Sequence, residues 1–143
     1  MCILQQTELK DKVESILDNN AIGTLATVKE NKPFSRYMTF FNDNLTLYSA
    51  TNKDTHKVED INTNDNVHIL IGYTGEGLED PYVEIEGTAS IQDSPEVKKK
   101  IWNEKLEPWF DGPDDPEYTV LKIEPSIIRL MNTPDGEPKT LDL

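Results

Sequence analysis

Apolar residues at Leu9, Val13, Ile16 and Leu17 recur at helical spacing behind Thr7, and Asp18-Asn19-Asn20 interrupts them. This predicts a helix over about 8–18 with Thr7 as its N-cap. The period then changes. "AIGTLATV", "FSRYMTFF" and "LTLYSA" are rich in β-forming residues, and the turn signals "KENKP" and "NDN" separate them, so three strands in a meander are expected. "DTHKVEDINTND" reads as a short helix with Asp54 as N-cap and Val58 and Ile61 on one face. "NVHILIGY" has the length and apolarity of a buried strand. "YVEIEGTASI" alternates Val83 and Ile85 with Glu84 and Glu86 until Gly87 breaks the pattern. "SPEVKKKIWNEKL" predicts a third helix, capped by Ser94 with Pro95 at its first position. "EPWFDGPDDPE" reads as a loop, "YTVLKIEPSIIRLM" as a last strand broken near Pro125, and the tail from Thr133 should fray. Six mostly antiparallel strands with three helices predict a mainly β fold, a small barrel or strongly curved sheet. An alternating βαβ layout is disfavoured.

Composition narrows the picture. At 143 residues the chain fits one domain, 1–143. With 27 acidic residues against 14 basic ones, the net charge of -13 argues against a broad grip on nucleic acid or anionic lipid. No apolar run approaches the roughly 18 residues of a membrane span. The only cysteine, Cys2, has no partner for a disulfide or zinc site, which fits a reducing cytoplasm.

Against that acidic background, "TNKDTHK" at Thr51–Lys57 stands out, because cations in a first helical turn oppose the helix dipole. Other candidate chemistry is thin. His56 and His68, the only histidines, lack metal-ligand spacing, and His68 sits in an apolar strand. There is no GxSxG elbow, "GYTGEG" lacks the spacing of a phosphate loop, and "DGPDDPE" lacks that of a calcium loop. A helix N-terminus carrying Lys53, His56, Lys57 and the hydroxyls of Thr51 and Thr55 could receive a phosphate. The plainer alternative pairs His56 and Lys57 with Asp60 on the same helix. Arg36 favours the phosphate reading, since a meander places its strand beside the one that leads into this helix.

Taken in order, "IGTLATVKENKPFSRYMTFF", "LTLYSATNKDTHKVEDI", "YVEIEGTASI", "KKKIWNEKLEPWFDGPDDPEY" and "VLKIEPSIIRL" resemble the FMN-binding split barrels related to pyridoxamine 5'-phosphate oxidase, within them the short bacterial general stress protein 26 group. The resemblance implies a homodimer of six-stranded antiparallel split barrels with FMN at the subunit interface. It implies that Arg36 meets the FMN phosphate, that Tyr37, Met38 and Thr39 supply strand backbone beside the flavin ring, and that Thr51 lies near the cofactor. Thr55, His56 and Lys57 match a Ser-Arg-Lys phosphate element. Tyr82 takes the place of a polar residue near the flavin, and Trp109 with Phe110 would cover the ring from the partner subunit. Two departures stand out: Tyr37 replaces the group's usual proline, and His56 its usual arginine. The tail "NTPDGEPKTLDL" lacks the basic residues that complete the substrate pocket of true pyridoxamine phosphate oxidases. The implied function is a flavin-dependent oxidoreductase acting with NAD(P)H or a small molecule. The alternative is a non-catalytic module that stores or senses FMN or another phosphorylated cofactor under stress, with F420 and heme as variant ligands.

Overall fold

In a computed structural model, which describes residues 3–78 and 80–143, the period-two segments join into one antiparallel sheet. The chain runs α1 (Ile3–Asn19), β1 (Ile22–Lys29), β2 (Lys32–Thr39), β3 (Phe41–Asp43), β4 (Thr46–Asn52), α2 (His56–Thr63), β5 (Asn66–Ile71), β6 (Tyr82–Gln92), α3 (Pro95–Ile101), β7 (Tyr118–Met131) and β8 (Lys139–Leu141). Strands neighbour one another in the order β2-β1-β5-β6-β7-β4-β3, and β8 adds to the free side of β7. The β1–β2 hairpin closes on two residues, Glu30 and Asn31, both at positive φ (52° and 63°), the turn geometry that matches strand twist.

The inward positions carry the core. Leu25, Ile69, Ile85 and Ile128 are fully buried, as are Leu47 and Ile123, and each such side chain contributes about 1.5–3 kcal/mol by leaving water. Leu9, Val13 and Leu17 of α1 and Ile61 of α2 complete this cluster. A second cluster covers the outer face of β4 and β7, where Tyr48, Tyr118 and Val120 pack under Ile101, Leu106 and Phe110. The sheet curls until β2 approaches β4, so that Ser49 Oγ donates to Thr39 O at 2.7 Å. This is the expected split barrel, with eight strands among the described residues rather than six. The extra two have separate causes. Phe40 turns into the core and donates its N–H to Ala21 O, which divides "FSRYMTFF" into β2 and β3. The third residue of β8, Leu141, is buried, so the tail from Thr133 is docked rather than frayed.

Helix ends differ from expectation in instructive ways. α1 begins before Thr7, which therefore lies inside the helix and is not its N-cap. Its first turn is held by the same tail: Asp142 N–H donates to Gln6 Oε1 at 2.7 Å and Gln6 Nε2 donates to Thr140 O. Thr55, not Asp54, occupies the N-cap position of α2, without a side-chain cap bond, and Asn52 Oδ1 accepts from the Asp54 N–H at 2.9 Å in the turn just before it. α3 stops at Ile101, and a separate single turn, capped by Asn103, follows at Glu104–Leu106. β7 is continuous through Pro125. Opposite it stands Gly87, at a register shift in β6. A Cβ on Gly87 would lie 2.5 Å from Glu124 O, so glycine is what admits the proline-bearing strand. On its other edge Pro125 falls between the last β4 pairing, at Ile123, and the first β8 pairing, at Ile128, where no partner needs its missing N–H.

Cys2 lies outside the described residues. No helix among the described residues is long and apolar enough to cross a membrane.

Candidate functional site

Strand alternation decides where Arg36 points. Arg36 pairs in register with the fully buried Leu25, so it lies on the core-facing side of β2, while its neighbour Tyr37 faces outward and is 80% exposed. A guanidinium turned inward must find acceptors. Nη1 donates to Leu25 O at 3.2 Å and to Thr27 Oγ1 at 2.8 Å. Thr27 is fully buried and donates onward to Asp60 Oδ2 at 3.5 Å. Burial draws the guanidinium below its ordinary pKa, and the charge of Asp60 works the other way.

β4 leads into the second half of the site. It delivers Thr51, buried, and Asn52, whose carbonyl accepts from the Thr55 hydroxyl at 3.0 Å. That bond seats Thr55 ahead of α2 in extended backbone, and Lys57 follows in the first helical turn. Burial, and then the charge of Arg36, hold the Lys57 ammonium below its ordinary pKa. The two cations therefore share one electrostatic neighbourhood. The plainer alternative, pairing of His56 and Lys57 with Asp60, is not realised among the described residues. The carboxylate facing His56 is Glu59, at 4.0 Å, while Asp60 turns into the barrel toward Thr27.

Between β2 and β4 lies a groove of about 490 Å3. Tyr37, Met38 and Thr39 form one wall, Thr51, Thr55 and Lys57 another, and Trp109 with Phe110 a third. Phe110 is buried against Tyr118, with ring centroids 5.0 Å apart, and this anchor leaves adjacent Trp109 77% exposed at the groove. Seven of the ten residues singled out in the sequence thus line one cavity, and Arg36 sits behind it beside Lys57. The other two are elsewhere. His56 projects into solvent, its side chain 88% exposed. Tyr82 lines a separate cavity of about 520 Å3, where it meets Tyr73 edge to face at 5.9 Å. Tyr37 borders both cavities. Trp109 and Phe110 wall the groove of their own chain, whereas the resemblance assigned them to the partner's flavin.

Sequence reasoning missed Thr27 and Phe41 and treated Asp60 only as a helix-surface acid. One signal was available for Thr27: it occupies an inward position of β1, two residues beyond Leu25, where an apolar residue would be routine. Among the described residues no group of three or more His, Cys, Asp or Glu is arranged to hold a metal ion.

Three comparisons place this geometry among known proteins. The family described as pyridoxamine 5'-phosphate oxidase matches residues 9–132. General stress protein 26 of Bacillus subtilis (strain 168) is 54% identical over 140 residues, 98% of this chain and 100% of that protein. The crystal structure of General Stress Protein 26 from Bacillus anthracis str. Sterne superposes with a TM-score of 0.82 at 38% identity, over 94% of this chain and 99% of that one. A heme binding protein from Mycobacterium smegmatis shares the fold alone, with a TM-score of 0.75 at 14% identity over 92% of this chain and 56% of that one.

Proposed function

The chain belongs to the pyridoxamine 5'-phosphate oxidase family, and from that premise we propose that it is an FMN-binding protein working as a homodimer, with the cofactor between subunits and its phosphate at Arg36 and Lys57. One observation carries the reading. Every other partly or fully buried cation among the described residues, namely Lys53, Lys98, Lys122, Arg129 and Lys139, has a carboxylate within 2.5–3.8 Å. Arg36 and Lys57 have none within 4.0 Å among the described residues, although acids outnumber bases 27 to 14. Two adjacent, half-buried positive charges with no directly paired carboxylate among the described residues fit a phosphate dianion.

The donor set suits that group. Lys57 offers a mobile ammonium, Arg36 a planar fork, and the start of α2 adds backbone N–H groups and the positive end of its dipole. The ring would take the apolar part of the groove between Tyr37 and Trp109. Two aromatic side chains this exposed are a surface that a ligand or a second subunit would cover. FMN would supply two-electron redox chemistry, with the protein setting its binding, orientation and electrostatics. Among the described residues lining the groove there is no carboxylate or imidazole, so no side chain is assigned as a catalytic acid. The same observation supports a second reading, a flavin carrier or sensor without turnover.

Equilibrium titration of the apo-protein with FMN, riboflavin, F420 and heme tests the assignment. FMN should bind at least about tenfold more tightly than riboflavin, since the phosphate adds charge-assisted hydrogen bonds. Equal affinities, or preference for heme, would overturn it. Anaerobic bleaching of the loaded protein by NADH separates an oxidoreductase from a carrier.

A further inference from the structure

Arg36 is anchored from behind by a chain of polar groups whose direction chemistry dictates. A guanidinium only donates. Both hydrogens of Nη1 are committed, one to Leu25 O and one to Thr27 Oγ1. A hydroxyl that accepts from a guanidinium keeps its own proton for another acceptor, and that acceptor is Asp60 Oδ2. Nε and Nη2 have no partner among the described residues and form the edge left for an anion. Thr27 is fully buried and Asp60 is 6% exposed, so water does not substitute for either link.

We propose that Asp60, acting through Thr27, is the positioning residue that holds the Arg36 fork in place and so sets the preference of the groove for a phosphorylated flavin over its unphosphorylated parent. The proposal rests on the FMN reading and deepens it. It makes an unusual demand on sign. Considered only as a charge, a buried aspartate near the phosphate site repels a dianion, and its neutralisation would tighten FMN. As the anchor of Arg36 it strengthens phosphate binding by pre-organising the fork, and its removal would weaken FMN. The placement of Asp60 favours the anchor. It stands on α2, three residues after Lys57, yet its carboxylate turns to the Thr27–Arg36 chain.

The test is the ratio of riboflavin to FMN dissociation constants for the apo-protein and for Thr27→Val, Thr27→Ser and Asp60→Asn. Thr27→Val preserves shape and cuts the chain; it should lower the ratio about tenfold, and Thr27→Ser should restore it to within about twofold. Asp60→Asn should lower the ratio as well. Riboflavin affinity should stay within about threefold throughout, because none of these residues lines the ring's part of the groove, and the double variant should lose little beyond either single one. A ratio that rises in Asp60→Asn makes Asp60 a bystander charge and overturns the proposal. So does a ratio left unchanged by Thr27→Val while the melting temperature falls, the mark of a purely structural role. The Thr27 pair decides if Asp60→Asn does not fold. A wild-type ratio near one defeats the FMN reading, and this proposal with it; a high ratio indifferent to Thr27→Val defeats the proposal alone.

Discussion

Replacing Lys57 with methionine keeps most of the side chain's bulk and removes its charge, and the two consequences have opposite signs. In the free protein the ammonium is half-buried beside Arg36, and both burial and that neighbour disfavour its charged form. The linkage follows directly. A base whose pKa is lower in the folded state holds fewer protons there than in the unfolded chain, so wild-type stability rises with pH between the lowered value and the ordinary 10.5. Below that window the penalty is present in full. Lys57→Met removes it, so the apo variant should melt higher than wild type near neutral pH, and the gap should narrow as pH approaches 10.5. Under the proposed assignment, bound FMN should reverse the balance, because its phosphate would stabilise the charged lysine.

A hydrogen bond to a charged group contributes about 1.5–3 kcal/mol, so Lys57→Met should weaken FMN by roughly 10- to 150-fold. Riboflavin, which lacks the phosphate, should be nearly indifferent. Flavin fluorescence titrations give the affinities, and thermal melts of the apo-protein at two pH values give the stability. A variant that melts lower while binding FMN as wild type does would mean that Lys57 is an ordinary structural cation, and the phosphate site would have to be moved.

Three further outcomes test the frame that carries the site. Leu141→Ala empties a buried position in the last strand and should cost about 2–5 kcal/mol in urea unfolding; a loss near zero would mean that the tail is not docked. Gly87→Ala puts a Cβ 2.5 Å from Glu124 O and 3.1 Å from the Pro125 Cα, both backbone, and should destabilise by about 1–3 kcal/mol, with no loss if the bulge relaxes freely. Tyr118→Phe removes the hydroxyl that donates to Lys98 O at 2.8 Å and should cost about 1 kcal/mol. Burial pushes that phenol up to about 12, so its contribution is complete below its ordinary value of 10.0 and is lost as pH rises toward 12; an ultraviolet titration should find it silent near pH 10.

Fold class was legible because sheet and helix write different periods into the chain, and the alternation of Val83, Glu84, Ile85 and Glu86 survives intact in β6. What escaped depends on residues far apart in sequence. The start of α1 and the docking of the tail were both misjudged, and for one reason: Gln6 and residues 140–142 hold each other, and neither end carries a local signal of the other. Gly87 and Pro125 each look like a fault in a strand when viewed alone. Across the β6–β7 ladder they are complementary, since the missing side chain of one admits the backbone of the other's strand at Glu124 and Pro125.

The site divides along the same line. Thr51, Thr55 and Lys57 were legible because a strand feeding a helix N-terminus is a local arrangement with known electrostatics. Arg36 was reached through a meander that the sheet does not form: β2 pairs only β1, β4 pairs β3 and β7, and β2 comes near β4 because the sheet curls. His56 was counted with them on adjacency in sequence. Successive residues of a helix point about 100° apart, so when Lys57 turns toward Arg36 its neighbour must turn away, and His56 projects into solvent. Asp60 escaped for the converse reason. Three residues beyond Lys57, it satisfies the spacing of a surface ion pair. That spacing fixes the face of the helix but not what lies opposite, and here the face meets β1 at Thr27. An acid drawn onto the inward face of a helix, an inward threonine and an inward arginine are each anomalous in their own element. Only the fold that joins α2, β1 and β2 brings them together, with two donor groups of Arg36 uncommitted among the described residues.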